Sequence, residues 1–219
     1  MSAEPPPAYR INPDYREEHV LDDGTKVTLR LIKPDDAEPL RLGFSRLSPT
    51  SRYRRFLSGM SELSDEMVRY LTEVDGVDHV AVVATTDSLD LKTEIGLGVA
   101  RVIRLEGEPT VAEAAITVSD DMQRKGLGRL LVRTMAEAAL ERGVKTIRAE
   151  VLAENAPMRR LLADVGAVVR SDDGTSLVLD IPLEWHRREL NEGASDDANH
   201  PLLRLFRAIA KSLVQLSGP

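Results

Sequence analysis

Ile116-Thr117-Val118-Ser119-Asp120-Asp121-Met122-Gln123-Arg124-Lys125-Gly126-Leu127-Gly128-Arg129-Leu130-Leu131 decides how this chain is read. It opens at the end of the run Thr110–Val118, the clearest central strand, bounded by Pro109 and by Ser119-Asp120-Asp121. It then turns at Gly126 and Gly128 and enters a helix over 126–142. There Leu127, Leu130, Leu131, Thr134, Met135, Ala138 and Ala139 recur at helical spacing, and Gly143 ends the run. The first N–H groups of a helix have no partner within it and sit at the positive end of its dipole, so this turn favours a phosphate. Glycine lets the backbone approach that phosphate closely. Arg124, Lys125 and Arg129 add positive charge. The Lys-Ser/Thr ending of a nucleoside-triphosphate loop is missing, and so is the three-glycine dinucleotide fingerprint.

On the N-terminal side, the prolines at 5, 6, 7 and 13 mark residues 1–20 as a flexible arm. Val27–Leu31 alternates as a strand, and Asp35-Asp36 opens a helix carrying Leu40, Phe44 and Leu47. Ser64 caps a second helix with Met67, Val68 and Leu71 facing inward. Val80–Ala84 and Glu94–Arg104 read as strands. On the C-terminal side come a strand over Lys145–Leu152, a helix over Asn155–Asp164, and a hairpin of Ala167–Arg170 and Leu177–Ile181 around Asp172-Asp173-Gly174. The domain spans 21–184. Residues 185–219 read as a polar linker and an amphipathic helix, with Leu202, Leu205, Phe206, Ile209, Leu213 and Leu216 on one face. That helix is expected to cover the sheet or to pair two copies in a homodimer; disorder, and contact with a membrane surface or a foreign partner, are the other readings. The order of elements implies an α/β fold, and the hairpin end argues against a simple doubly wound sheet.

Composition narrows the chemistry. The 219 residues are 42% hydrophobic and 30% charged, as in ordinary soluble domains, and no apolar run is long enough for a membrane span. There is no cysteine, which excludes disulfides, thiolate catalysis and cysteine-ligated metals. The four histidines, at 19, 79, 186 and 200, show no metal-ligand spacing, so no metal is expected. The net charge of −7 disfavours general nucleic-acid binding. The Pro-rich start lacks a basic region followed by an apolar core, which argues against a signal peptide, and a cytoplasmic protein is expected.

Gln123-x-x-Gly126-x-Gly128, after a strand and before a long helix, resembles the acyl-CoA pyrophosphate loop of the GNAT superfamily of N-acetyltransferases. Glu150 to Ala167 resembles that superfamily's second signature, and Val27–Asp36 its first strand and helix. Leu47–Phe56 and Asp75–Ala81 are similar to segments of bacterial protein-lysine acetyltransferases. The resemblance implies a central, mixed, mostly antiparallel twisted sheet flanked by helices, with splayed central strands. It also implies acetyl-CoA as donor, with the acetyl group going to a primary amine, foremost a protein lysine ε-amine. A small-molecule or peptide amine is the alternative acceptor, and a non-catalytic acyl-CoA-binding module is a reading from another class.

Residue roles follow from that resemblance. An amine must be neutral to attack a thioester, so a base is needed. Glu113, within an otherwise apolar strand, falls where the catalytic glutamate is expected, and partial burial would raise its pKa. A structurally paired glutamate is the bland alternative. Ile116 and Val118 would meet the pantetheine through their backbone, the Val118 N–H polarising the thioester carbonyl. Gln123, Arg124, Lys125, Gly126, Leu127, Gly128 and Arg129 would form the cofactor loop. Asn155 would cap its helix and also touch the cofactor. Seven residues after Asn155, where the family commonly has a general-acid tyrosine, this chain has Leu162. His79, Glu94 and the cluster Arg52, Arg54 and Arg55 are lesser candidates whose simpler roles are structural.

Overall fold

A computed structural model describes residues 9–48, 62–87, 94–153, 159, 163 and 166–183. Alternation lays down most of the sheet. In Lys26–Leu31, Val27, Leu29 and Leu31 are buried while the residues between them are not. The strands are β1 (Arg16–Val20), β2 (Lys26–Leu31), β3 (His79–Asp87), β4 (Glu94–Leu105), β5 (Glu108–Val118), β6 (Thr146–Leu152), β7 (Val168–Asp172) and β8 (Ser176–Pro182). They lie in the order β1-β2-β3-β4-β5-β6-β8-β7. Every neighbouring pair is antiparallel except β5 with β6.

The described helices are α1 (Ala37–Arg46), α2 (Asp65–Thr72) and α3 (Leu127–Glu141). Helix α2 starts as expected: Ser64 Oγ accepts from the Met67 N–H at 3.2 Å. Successive strand residues point to opposite faces, and the two faces take different helices. Val80, Val82, Ala84, Ala100, Val102 and Ala112 share a core with Leu127, Leu131 and Met135 of α3. Val83, Val99 and Arg101 face the other way, toward Phe44 of α1, Leu47 just after it and Leu71 of α2.

Two features shape the centre of the sheet. First, the β3 partners of β4 jump from Gly98 to Gly96, so Leu97 is an extra residue, a bulge that sharpens the local twist. Second, β5 and β6 share only three rungs: Val111 with Thr146, Ala112 with Ile147 and Glu113 with Arg148. Beyond them β5 runs on to Val118 beside β4, and β6 runs on to Leu152 beside β8. The two central strands therefore part, as the splayed sheet requires.

The N-terminal arm is shorter than the sequence suggests. Residues 16–20 form β1, and Ile11 is fully buried. Arg16-Glu17-Glu18-His19 hides this strand because an edge strand can be charged throughout; such charges discourage pairing with another chain. Tyr9 and Ile11 are held by Arg142, which donates to the carbonyls of Ile11 (2.7 Å), Gly76 (2.6 Å) and Ala138 (2.9 Å) and lies 4.2 Å from the Tyr9 ring centre. Residues 185–219 and most of the helix expected at 155–164 lie outside the described residues.

At Gly98 the sheet leaves α3 no room for a side chain. A Cβ there would meet Leu131 Cδ1 and the Thr117 carbonyl oxygen, each at 2.9 Å. The leucine tip can swing away, but the backbone oxygen cannot. Gly98→Ala is expected to lower the free energy of unfolding by about 1–3 kcal/mol, read from urea midpoints at constant slope.

Candidate active site

The loop from Ser119 to Gly128 is held from several sides. The Ser119 N–H and hydroxyl both donate to the Leu97 carbonyl at 3.0 Å, fixing the end of β5 to the bulge. A 3-10 turn, Asp120–Met122, follows with Met122 buried. The Asp120 carboxylate accepts from the Ser48 N–H (2.9 Å) and the Gln123 side-chain amide (2.9 Å), so the segment after α1 is tied to the loop. Arg124 adopts φ 66°, left-handed for a residue with a Cβ, at a cost of roughly 1–2 kcal/mol. Gly126, at φ 89°, is the residue before α3. Leu127 is fully buried and pins the helix start. The N–H groups of Leu127 and Gly128 belong to the first turn, which has no helical carbonyl to bond.

The hairpin tip between β1 and β2 leans on this loop. The Asp22 carboxylate lies 3.3 Å from where a Cβ of Gly126 would be. Lys125 Nζ is 3.0 Å from Asp23 Oδ2. Hydrogen bonds from Thr25 and Lys125 hold the Asp23 carboxyl down at about 2. Lys125, expected on a phosphate, thus has a carboxylate partner. The sequence shows Asp22-Asp23-Gly24 only as a turn; nothing local marks its contact with a loop a hundred residues away.

The parting of β5 and β6 exposes backbone. The Ser119 N–H points to β4, while the Thr110 carbonyl accepts from the Lys145 N–H on the β6 side. Alternation along β5 therefore sends the N–H and C=O of Ala114, Ile116 and Val118 away from β4, into the opening. The side chains of Ile116 and Val118 pack against the α3 core.

Glu113 stands on the last rung before the strands part, on the face that carries α1 and α2. It is exposed, not partly buried as its apolar neighbours suggest. Those neighbours, Ala112 and Ala114, face the α3 core, and α1 packs over β4 rather than over this end of β5. Arg148, beside Glu113 in register, is engaged by Asp180 (2.8 Å) and Glu108 (2.9 Å), and these contacts raise its pKa.

A cavity of about 100 Å³ lies under α1 and α2 on that same face, lined chiefly by apolar side chains. Its carboxylates among the described residues, Asp36 and Glu94, are both bound to Arg30: two bonds to Asp36 (2.7 and 2.8 Å) and one to Glu94 (2.8 Å). Arg16 also reaches Glu94 at 2.9 Å. Burial pushes the Glu94 carboxyl up, but bonds from Arg30 and Arg16 outweigh it and hold the group below the usual range. Glu94 is thus an ion-pair partner. His79 does not hold Asp78, which pairs with Arg104 at 2.6 Å. Its Nε2 lies 2.9 Å from Arg101 Nη1, and its ring stands 5.2 Å from that of Tyr70. Burial, then the nearby Arg101 charge, lowers His79 to about 4 against the pull of Asp75.

The structure thus brings together Ile116, Val118 and the loop Gln123–Arg129, with Glu113 on the border of the same opening. Asn155, Leu162 and the cluster Arg52, Arg54 and Arg55 lie outside the described residues. Among the described residues, no helix is long and apolar enough to cross a membrane.

The splayed sheet, the bulged strand and the glycine loop at a helix start are the frame of one protein class, and comparison with known proteins agrees. The chain belongs to the acetyltransferase (GNAT) family, whose profile matches residues 51–167. Acetyl-CoA is that family's acetyl donor. Within the family the chain is related to acetyltransferases of the Pat type. It is 35% identical over 156 residues to the acetyltransferase Pat of Mycolicibacterium smegmatis, covering 70% of this chain and 45% of that protein, so it spans less than half of that relative's length. It is 31% identical over 160 residues to an acetyltransferase of Pseudomonas aeruginosa, covering 72% of this chain and 84% of that one. The crystal structure of the GNAT domain of S. lividans PAT superposes with a TM-score of 0.63 at 29% identity, covering 76% of this chain and 96% of that domain.

His79 makes a pH prediction. Its folded pKa, about 4, is below the unfolded value near 6.5. The unfolded chain therefore binds the proton first. The contribution of neutral His79 is complete above pH 6.5, is lost as pH falls through the window, and levels off below 4. His79→Gln is expected to flatten the decline of the urea midpoint between pH 6.5 and 4; a decline as steep as wild type would place its origin elsewhere.

Proposed function

We propose that this chain transfers an acetyl group from acetyl-CoA to the ε-amine of a protein lysine, with Glu113 as general base. The observation that carries this is a juxtaposition. The opening between β5 and β6 has the helix-start loop near one end and the Glu113 carboxylate at its apex. The residues present fit acetyl-CoA. Loop N–H groups and the α3 dipole suit its pyrophosphate, and the backbone groups of Ala114, Ile116 and Val118 suit an extended amide-bearing arm.

When bound, acetyl-CoA supplies an activated acetyl thioester. The chain's own groups do the rest. Glu113, exposed on the acceptor side, takes the proton of the incoming ammonium directly or through water. The Val118 N–H, directed into the opening, donates to the oxygen on which negative charge develops. Leu162 has no proton to give, so the departing thiolate is protonated by water. A protein lysine is preferred over a small polyamine because the cavity beside the site offers no uncommitted acidic group among its described lining: Asp36 and Glu94 are both bound to Arg30.

Glu113→Gln is expected to lower kcat by about 10²–10⁴-fold, with CoA affinity unchanged by calorimetry. Thiol release from acetyl-CoA with protein and small-amine acceptors side by side measures it and selects the acceptor class. Unchanged turnover would remove Glu113 from the mechanism. Asp23→Asn releases Lys125 toward the phosphates. CoA should then bind roughly two- to fivefold tighter, the range of an exposed ion pair, with a steeper loss of affinity as salt rises.

A further inference from the structure

The cavity under α1 begins beside the proposed thioester site. Thr117 and Ser119 line it, and they flank Val118, whose N–H points into the opening. Its walls are Leu40, Phe44 and Leu47 with Val83 and Val99. Its floor is missing a side chain. Gly96 pairs with Thr85, which lines the cavity too, and a Cβ built on Gly96 meets nothing within 4 Å. Its backbone lies outside the left-handed region, so φ does not require glycine there. The charged groups on the border already have partners. Arg30 holds Asp36 and Glu94, and Arg101 is bonded to His79 and to the Leu71 carbonyl. An ammonium entering this space would find no uncommitted carboxylate among the described residues, whereas a hydrocarbon would find apolar walls.

We infer that this cavity is an acyl-chain pocket, and that the protein accepts acyl-CoA donors longer than acetyl, with the added carbons seated over Gly96. This deepens the proposed donor reading and rests on it. Size sets the limit. A cavity of about 150 Å³ holds the six carbons of benzene, so one of about 100 Å³ holds about four. Propionyl to pentanoyl groups fit, and octanoyl does not. The chemistry is unchanged: Glu113 takes one proton from the ammonium, the amine nitrogen bonds to the acyl carbon, the C–S bond breaks, and the second nitrogen proton passes through water to the departing CoA thiolate. Each methylene moved from water into such walls tightens binding by about fourfold.

The test is calorimetric titration of the protein with CoA and its stable S-ethyl, S-butyl and S-octyl thioethers, which needs no acceptor. The expected result is S-butyl-CoA binding at least tenfold tighter than S-ethyl-CoA, with no further gain for S-octyl. Gly96→Val should erase the butyl-over-ethyl ratio, and the smaller Gly96→Ala should reduce it, in variants whose thermal melts show a cooperative fold. A wild-type ratio near one, with CoA itself binding, overturns the pocket and leaves the donor reading standing. A ratio that survives Gly96→Val also overturns it. If Gly96→Val instead raises the KM of the amine acceptor while the ratio stays intact, the cavity belongs to the acceptor. CoA that does not bind at all defeats the donor reading, and the pocket with it.

Discussion

Everything about the site depends on two strands that stop pairing. β5 and β6 are hydrogen-bonded for three rungs and then diverge, each still anchored on its outer side. A backbone polar group buried without a partner is costly, so a sheet seldom opens in its middle without something to enter. Here one geometric fact creates a row of directed N–H and C=O groups, sets Glu113 at the apex, and aims the end of β5 at the start of α3. A parallel pair makes this natural. β5 and β6 need a crossover, and the crossover is α3, whose first turn then sits at the mouth of the gap.

Around that gap the charges are arranged by mutual neutralisation rather than by net sign. The chain is acidic, yet three arginines of the sheet are held by specific acceptors: Arg30 by Asp36 and Glu94, Arg148 by Asp180 and Glu108, Arg101 by the Leu71 carbonyl and His79. The pairs of Arg30 and Arg148 tie β2 to β4 and β6 to β8. Asp23 extends the pattern to the loop before α3, pairing with Lys125 and offsetting its positive charge.

Much of this was legible in the residue order. Alternation placed β2, the bounds Pro109 and Ser119-Asp120-Asp121 placed β5, and the turn Asp172-Asp173-Gly174 placed β8, each to within a few residues. Helical spacing placed α3, and Ser64 announced the start of α2. The turn before α3 was legible because its backbone needs glycine: Gly126 sits at φ 89°. What escaped was set by distant partners. β1 was hidden because an edge strand does not need an apolar stripe. Glu113 was expected to be partly buried because Ala112 and Ala114 are apolar, although they face the opposite side. The Leu97 bulge, the grip of Asp23 on Lys125 and the pairing of His79 with Arg101 join residues far apart in the chain, and no local pattern encodes them.

The clamp formed by Arg142 has a consequence for how the chain comes into being. Ile11 is fully buried, yet its carbonyl is bound by Arg142, 131 residues later, and its N–H by Glu141. A ribosome adding about 5–20 residues per second needs roughly 7–26 s to deliver that partner. During that interval β1 and β2 can already pair as a hairpin, but the segment before them has nowhere to settle. The first residues of the described domain are thus among the last to be fixed, and their docking against the end of α3 reports that this helix is in place.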